Sequence, residues 1–274
     1  MCPPRVKEEA PRNVNWQDLL PVSRRQRWAE LTLTLPLPWL AASWALYASP
    51  IWPVGALASF MFFLCALRLN HEAIHGNLGL PRRADIALLH LLSALMMGCN
   101  SSIAWSHMQH HRHAMGPNDL EGHCGHMSAP QVLLYGPRFP IDLIRRCWSN
   151  TGQKWHRRLL RDGVAVLACL VLCLWSGLGF LLLHLAAMAI AQCLTAFFAV
   201  WITHQGTAQS GLAGRSQRGM LARLAYLMFY HREHHLFPQV PVSRLPDLAA
   251  RLDDQVPGYA KSRQPVVPWF DRAT

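Results

Sequence analysis

The sequence predicts an all-α integral membrane protein with four transmembrane helices, a re-entrant or interfacial helix and a cytoplasmic helical cap. Three observations predict it. Hydrophobic residues make up 51% of the 274 residues and charged residues only 15%. The apolar residues fall in long blocks, not in the short alternations that mark strands. The 26 Lys and Arg residues are confined to particular segments.

Residues 1–30 are polar and read as a cytoplasmic segment, with 1–15 a loose tail. No small-residue cleavage site follows the first apolar block, which argues against a signal peptide. The blocks 31–48 and 51–67 are each about long enough, at roughly 1.5 Å per residue, to cross a bilayer core of about 30 Å. The run 86–98 is short for a span and predicts a re-entrant or interfacial helix. From Gly163 to His204 there is no Lys, Arg, Asp or Glu. That stretch accommodates two more spans, turning at Ser176-Gly177-Leu178-Gly179. Residues 256–274 read as a C-terminal tail, which leaves 31–255 as one membrane domain.

Charge sets the expected orientation. Six Lys and Arg precede residue 31, three lie in 68–83, eight in 105–162 and nine after 204. The short turns near Ser49 and Gly177 hold none. Cytoplasmic loops collect Lys and Arg, so both termini and the large middle loop are expected in the cytoplasm. The net charge of +11 then reflects topology and attraction to a lipid surface, not nucleic-acid binding. It also suits docking of an acidic redox partner. The eight cysteines form no framework, and the setting favours reduced thiols. Trp39, Trp44, Trp52 and Trp175 suit an interfacial belt or lipid contact.

Eight of the fifteen histidines fall into three clusters: His71 with His75, His107 with His110 and His111, and His231 with His234 and His235. On a helix, residues three and four apart share a face, so each cluster aims two or three imidazoles at one spot. Neutral imidazole is the commonest side-chain ligand of transition metals. Three clusters offer more nitrogens than one four-coordinate ion uses, which points to two metals among iron, zinc, copper and nickel. The first and third clusters follow the second and fourth spans on one side. The second joins them only if 86–98 does not cross. The expected cap, built from 70–162 and 205–274, then holds a His-rich two-metal site.

Four further groups carry weaker signals. His113 extends the second cluster. His123-Cys124-Gly125-His126 reads as a polar loop, and His90, His156 and His184 as packing or interfacial residues. Cys169 and Cys173 share a helix face and suit core packing.

The order H-x-x-x-H, H-x-x-H-H, H-x-x-H-H around two membrane hairpins resembles the membrane fatty-acid desaturase superfamily. That superfamily also contains alkane-type hydroxylases and carotenoid ketolases and hydroxylases. The matching stretches are Asn70-His71-Glu72-Ala73-Ile74-His75-Gly76, Trp105-Ser106-His107-Met108-Gln109-His110-His111-Arg112-His113, and His231-Arg232-Glu233-His234-His235-Leu236-Phe237-Pro238. Ser243-Arg244-Leu245-Pro246 also has the family's look, and the resemblance covers roughly residues 31–255.

The resemblance implies a non-haem di-iron oxygenase that uses O₂ to attack an unactivated C–H bond of a lipid chain. Its implied ligands are His71, His75, His107, His110, His111, His231, His234 and His235. It also implies a role for His204, in Trp201-Ile202-Thr203-His204-Gln205-Gly206, which stands where a histidine before the third box can complete the metal shell. Some relatives carry an Asn four residues earlier, where this chain has Val200. Ligating imidazoles need acceptors for their second nitrogens. Glu72, Asp119, Glu121 and Glu233 lie close enough in sequence to serve.

No Cys₄ run or spare haem module is visible, so electrons are expected from a separate ferredoxin- or cytochrome-type carrier. The expected setting is a bacterial inner membrane with the site on its cytoplasmic side. Among products, acyl-lipid desaturation ranks first, lipid or alkyl-chain hydroxylation second and carotenoid ketone formation third. Two rivals stand outside this chemistry. His71-Glu72-Ala73-Ile74-His75 is also the H-E-x-x-H of zinc metalloproteases, and a metal or haem carrier would use clustered imidazoles without turnover.

Overall fold

The computed structural model describes residues 8–33, 36–47 and 49–271. Among them, regular structure is helical throughout, apart from one isolated bridge between Ser216 and Tyr230. Helix α1 (Arg24–Trp28) opens on a capping box in which Ser23 and Gln26 satisfy each other's backbone. Helices α2 (Pro36–Tyr47) and α3 (Trp52–His75) form an antiparallel pair. The expected first span falls partly outside the described residues, at 34, 35 and 48. The second runs well past its expected end at 67. Helix α3 continues to His75 and stops where Gly76 turns left-handed at φ 76°. The first histidine pair therefore rides on the end of the span itself.

Helices α4 (Arg82–Leu95) and α5 (Asn100–His113) meet at a bend of 118°. A broken helix in an apolar setting must have its freed backbone groups satisfied by neighbours. Three side chains do this. The Ser93 hydroxyl accepts from Asn100 N at 3.1 Å, Asp162 Oδ2 accepts from Ser101 N at 2.7 Å, and Gln192 Nε2 donates to Met96 O at 2.8 Å. The short apolar run at 86–98 thus turns back, and α5 carries the second cluster towards the first.

Short helices α6 (Leu120–Cys124) and α7 (Ala129–Tyr135) and the longer α8 (Phe139–Asn150) lead to α9 (Gln153–Ser176). Gly177, at φ 65°, makes the turn into α10 (Gly179–Cys193). A π-helical stretch, Ala196–Trp201, then leads into α11 (Ile202–His204) and α12 (Thr207–Ser210), bent 47° from α10. By length and composition, α3 and α9 can each cross a membrane unbroken, and the two bent pairs qualify only as pairs. Helix α9 shows an outward apolar face of Val164, Leu167, Val171 and Leu172, as a lipid-facing helix does. Trp44, Trp52 and Trp175 are exposed near the ends of α2, α3 and α9. Gly179 lies against the Tyr47 ring, which puts the α9–α10 turn beside the end of α2, away from His75.

Helices α13 (Gly219–Leu224), α14 (His231–Leu236) and α15 (Leu245–Gln255) complete the chain's histidine-bearing end. Besides a smaller cluster of Cys124, Val132, Phe139, Leu143 and Val200 between α6–α8 and the π-helical stretch, two larger apolar cores divide the molecule. One packs Phe62, Phe63, Leu89, Leu92 and Met188 between the long helices. The other packs Val14 and Leu19 against Tyr230, Phe237, Leu245 and Leu252. This corrects the expectation of a loose tail over 1–15 for the residues of it that are described. From residue 8 onward the N-terminal segment is docked, since Glu8 accepts from Arg232 at 2.6 Å and Val14 is buried. At the other end Tyr259 is buried, and Asp271 accepts from Arg263 at 2.9 Å.

Candidate metal centre

Nine imidazoles converge where α3, α5, α11 and α14 meet. The i, i+4 spacing on α3 puts His71 beside His75. On α5, His107, His110 and His111 share the inner face, and α14 does the same for His231, His234 and His235. His204 arrives from α11. The ligand atoms sort into two groups of four, each within 4.8 Å of one another. The first is His71, His75, His107 and His234, and the second is His110, His204, His231 and His235. His111 stands between them. Its Nε2 is 3.1 Å from that of His107 and 3.0 Å from that of His234, and its ring stacks on His235 with centroids 4.4 Å apart.

In every case the Nε2 atoms turn inward. In the second group the separations around the ring are 2.9 Å (His110 to His204), 2.8 Å (His204 to His231), 3.0 Å (His231 to His235) and 3.2 Å (His235 to His110). With metal–nitrogen bonds of about 2.1 Å, nitrogens at right angles lie about 3.0 Å apart and tetrahedral ones about 3.4 Å. The observed ring suits an ion that keeps further positions open. It fits a closed tetrahedron less well. The first group is similar, with 2.9 Å between His71 and His234 and 3.1 Å between His75 and His107.

Burial pushes the His231, His234 and His235 imidazoles well below their ordinary pKa, and neighbouring rings push the same way. Neutral rings present the lone pair that a metal needs. Two of the four sequence-selected carboxylates meet box histidines from behind. His110 Nδ1 donates to Asp119 Oδ2 at 2.6 Å, and His107 Nδ1 donates to Glu121 Oε2 at 3.2 Å. A proton held on Nδ1 leaves Nε2 free as a donor to metal. Asp119 also accepts from Met115 N and Gly122 N, each at 2.8 Å. Burial alone would raise its pKa, but the His110 ring and these donors hold it below its ordinary value.

The other two carboxylates make no hydrogen bond to a box histidine among the described residues. Glu72 accepts from Val242 N at 3.2 Å and lies 3.8 Å from His71 Nδ1, on the side away from the converging Nε2 atoms. That is the wrong side for the base of a zinc protease, which must face the metal-bound water. Glu233 accepts from Ser216 Oγ at 2.7 Å and from Arg218 Nη2 at 2.8 Å, tying α14 to the loop before α13. Their shared physical reason is helix rotation: a residue next to a ligand in sequence points about 100° away from it.

The remaining histidines stay apart. His113 joins neither group, His123 is exposed, and His126 donates to Met115 O at 3.2 Å. His90 Nδ1 meets Asp162 Oδ1 at 2.5 Å, His156 stacks on Trp148, and His184 donates to Leu95 O at 2.9 Å. Asp162 is a buried carboxylate whose partners lie on α4 and α5, far away in sequence.

An apolar cavity of about 330 Å³ reaches the centre. Its wall includes Leu64, Leu67, Ile103, Phe139 and Leu143, and His71, His107, His110 and His231 close its inner end. Val200, where some relatives place an Asn, lines this cavity and offers no ligand atom.

Comparison with known proteins agrees with this geometry. The fatty acid desaturase family pattern matches residues 48–266, and the chain belongs to that family. A beta-carotene ketolase of Paracoccus sp. (strain PC1) is 28% identical over 238 residues, spanning 79% of this chain and 89% of the relative.

Proposed function

We propose that this desaturase-family chain is a membrane oxygenase that turns a ring methylene of a carotenoid-like polyene into a ketone. Its cofactor in this reading is a pair of irons held by His71, His75, His107, His111 and His234 on one side and His110, His204, His231 and His235 on the other. The observation that carries the choice of product is the ketolase likeness, which extends over 89% of that relative. It moves ketone formation ahead of acyl-lipid desaturation, the first choice from sequence. The apolar cavity ending on four of the imidazoles suits a hydrocarbon with no charged head.

Bound iron would supply the O₂-derived oxidant that side chains cannot make. The chain supplies the rest. Asp119 and Glu121 keep the Nδ1 protons of His110 and His107 in place. The apolar wall excludes water and aligns the methylene. The stoichiometry is two similar oxidations. First, R₂CH₂ with O₂, two electrons and two protons gives R₂CHOH and water. The alcohol is then oxidised in the same way to a geminal diol, which loses water to leave the ketone. The electrons come from a separate ferredoxin- or cytochrome-type carrier, drawn to the basic cytoplasmic face.

The test is expression in bacterial cells that accumulate β-carotene, with mass spectrometry of pigments and lipids. The expected product has gained an oxygen and lost two hydrogens per ring, and forms only with O₂. Unchanged pigment together with a new double bond in acyl lipids would overturn ketone formation in favour of desaturation.

A further inference from the structure

The cavity wall is apolar except at a few points, and at two of these a buried oxygen acceptor meets no donor among the described residues. Asn70 lines the cavity, is 2% exposed, and its Oδ1 meets no hydrogen-bond donor among the described residues. Glu121 Oε1 is likewise without a partner, because only Oε2 receives the His107 proton. The two threonines of the wall are already engaged: Thr195 donates to Ala191 O, and Thr203 donates to Val200 O. A buried acceptor with no donor is costly, and such groups normally have a partner. Asn70 shares the wall of this cavity with His71, His107, His110 and His231, the imidazoles that close its inner end. A hydrocarbon guest offers it nothing. A guest with a hydroxyl near the reacting carbon offers the missing donor.

We propose that Asn70 is a specificity-determining residue whose carboxamide oxygen accepts a hydrogen bond from the hydroxyl of a half-oxidised substrate. The cavity then favours the alcohol over the hydrocarbon and holds it for its second oxidation. This rests on the ketone-forming reading above. Glu121 Oε1 is the second acceptor open to the same hydroxyl.

The test uses the iron-loaded full chain in membranes, with β-carotene as substrate. Two competitors are compared: the allylic ring alcohol of β-carotene and its methyl ether, which lacks the donor. In the unaltered protein the alcohol should compete about tenfold better than the ether, as expected for one buried hydrogen bond to a prepared acceptor. Asn70→Leu should abolish that preference and raise the ratio of released alcohol to ketone by a similar factor. Asn70→Thr, which keeps an acceptor, should retain part of the preference. Iron content reports whether each variant is folded. If Asn70→Leu loses its iron, the comparison in the unaltered protein still decides, and equal competition by alcohol and ether overturns the assignment. An undiminished preference in folded Asn70→Leu overturns it too. Failure to consume β-carotene at all is a separate result: it rejects the ketone-forming reading, and the Asn70 assignment with it.

Discussion

The two histidine groups use the same ligand chemistry but are built differently. The first draws His71 and His75 from the end of α3, one continuous helix, and its one carboxylate hydrogen bond among the described residues is that of 3.2 Å from His107 to Glu121, with Glu72 only at 3.8 Å from His71. The second includes His204, brought in by a short helix after a π-helical stretch. Its support is Asp119, which binds His110 at 2.6 Å and also pins Met115 N and Gly122 N. That loop needs pinning, since Ala114 and Met115 both have positive φ. The first group, resting on a continuous helix, is therefore expected to tolerate the loss of its outer partner better than the second, which rests on a bent segment and a strained loop.

The largest effect is expected at His204. His204→Ala removes a nitrogen from a ring of four, so the variant should retain about half of its iron and lose turnover by at least roughly a hundredfold. Iron assay and product yield together check this. Full iron content with near-normal yield would place His204 outside the centre.

Asp119→Ala comes next. It frees the His110 ring and unpins the loop, and its expected cost is about 10- to 100-fold in activity, with iron lost from the second group first. Spectroscopy that distinguishes the two irons would read the order of loss. Glu121→Gln should cost less, about tenfold at most, because the first group keeps its helix and its other ligands. Equal losses for the two variants would erase the contrast between the groups. The smallest effect is expected for His113→Ala, which should stay within about 0.5 kcal/mol of the parent in stability and keep its iron. It serves as the baseline against which the other three are measured.

The box histidines were legible in the sequence because helical periodicity brings i, i+3 and i+4 together whatever the rest of the fold does. The turning back at 86–98 was legible for a different reason: too few apolar residues to cross. His204 offered only the weak local signal of a lone ionisable residue at the end of an apolar run, and resemblance supplied the rest. The break before Ala196 was not legible, since 163–204 carries no charged residue and no Gly or Pro near the break. Tertiary fit sets it, with Gly136 packed against the Cys193 carbonyl where α10 ends. Glu72 and Glu233 looked as suitable as Asp119 and Glu121 by nearness in the chain. What separates them is the direction each side chain leaves its helix and the distant groups, Val242 N and Arg218, that claim it. The same holds for Asp162 and Asn70, whose roles depend on neighbours many residues away. The docking of Val14 and Leu19 is also long-range, and two apolar residues in a polar stretch show no period.

Metal content of the purified full chain tests the central claim most directly. Elemental analysis against protein mass, with Mössbauer spectroscopy of iron-57-loaded protein, should find close to two irons per chain in two nitrogen-rich environments. Fully active protein with a single zinc, or with one iron, would contradict an account in which two imidazole groups each hold an ion.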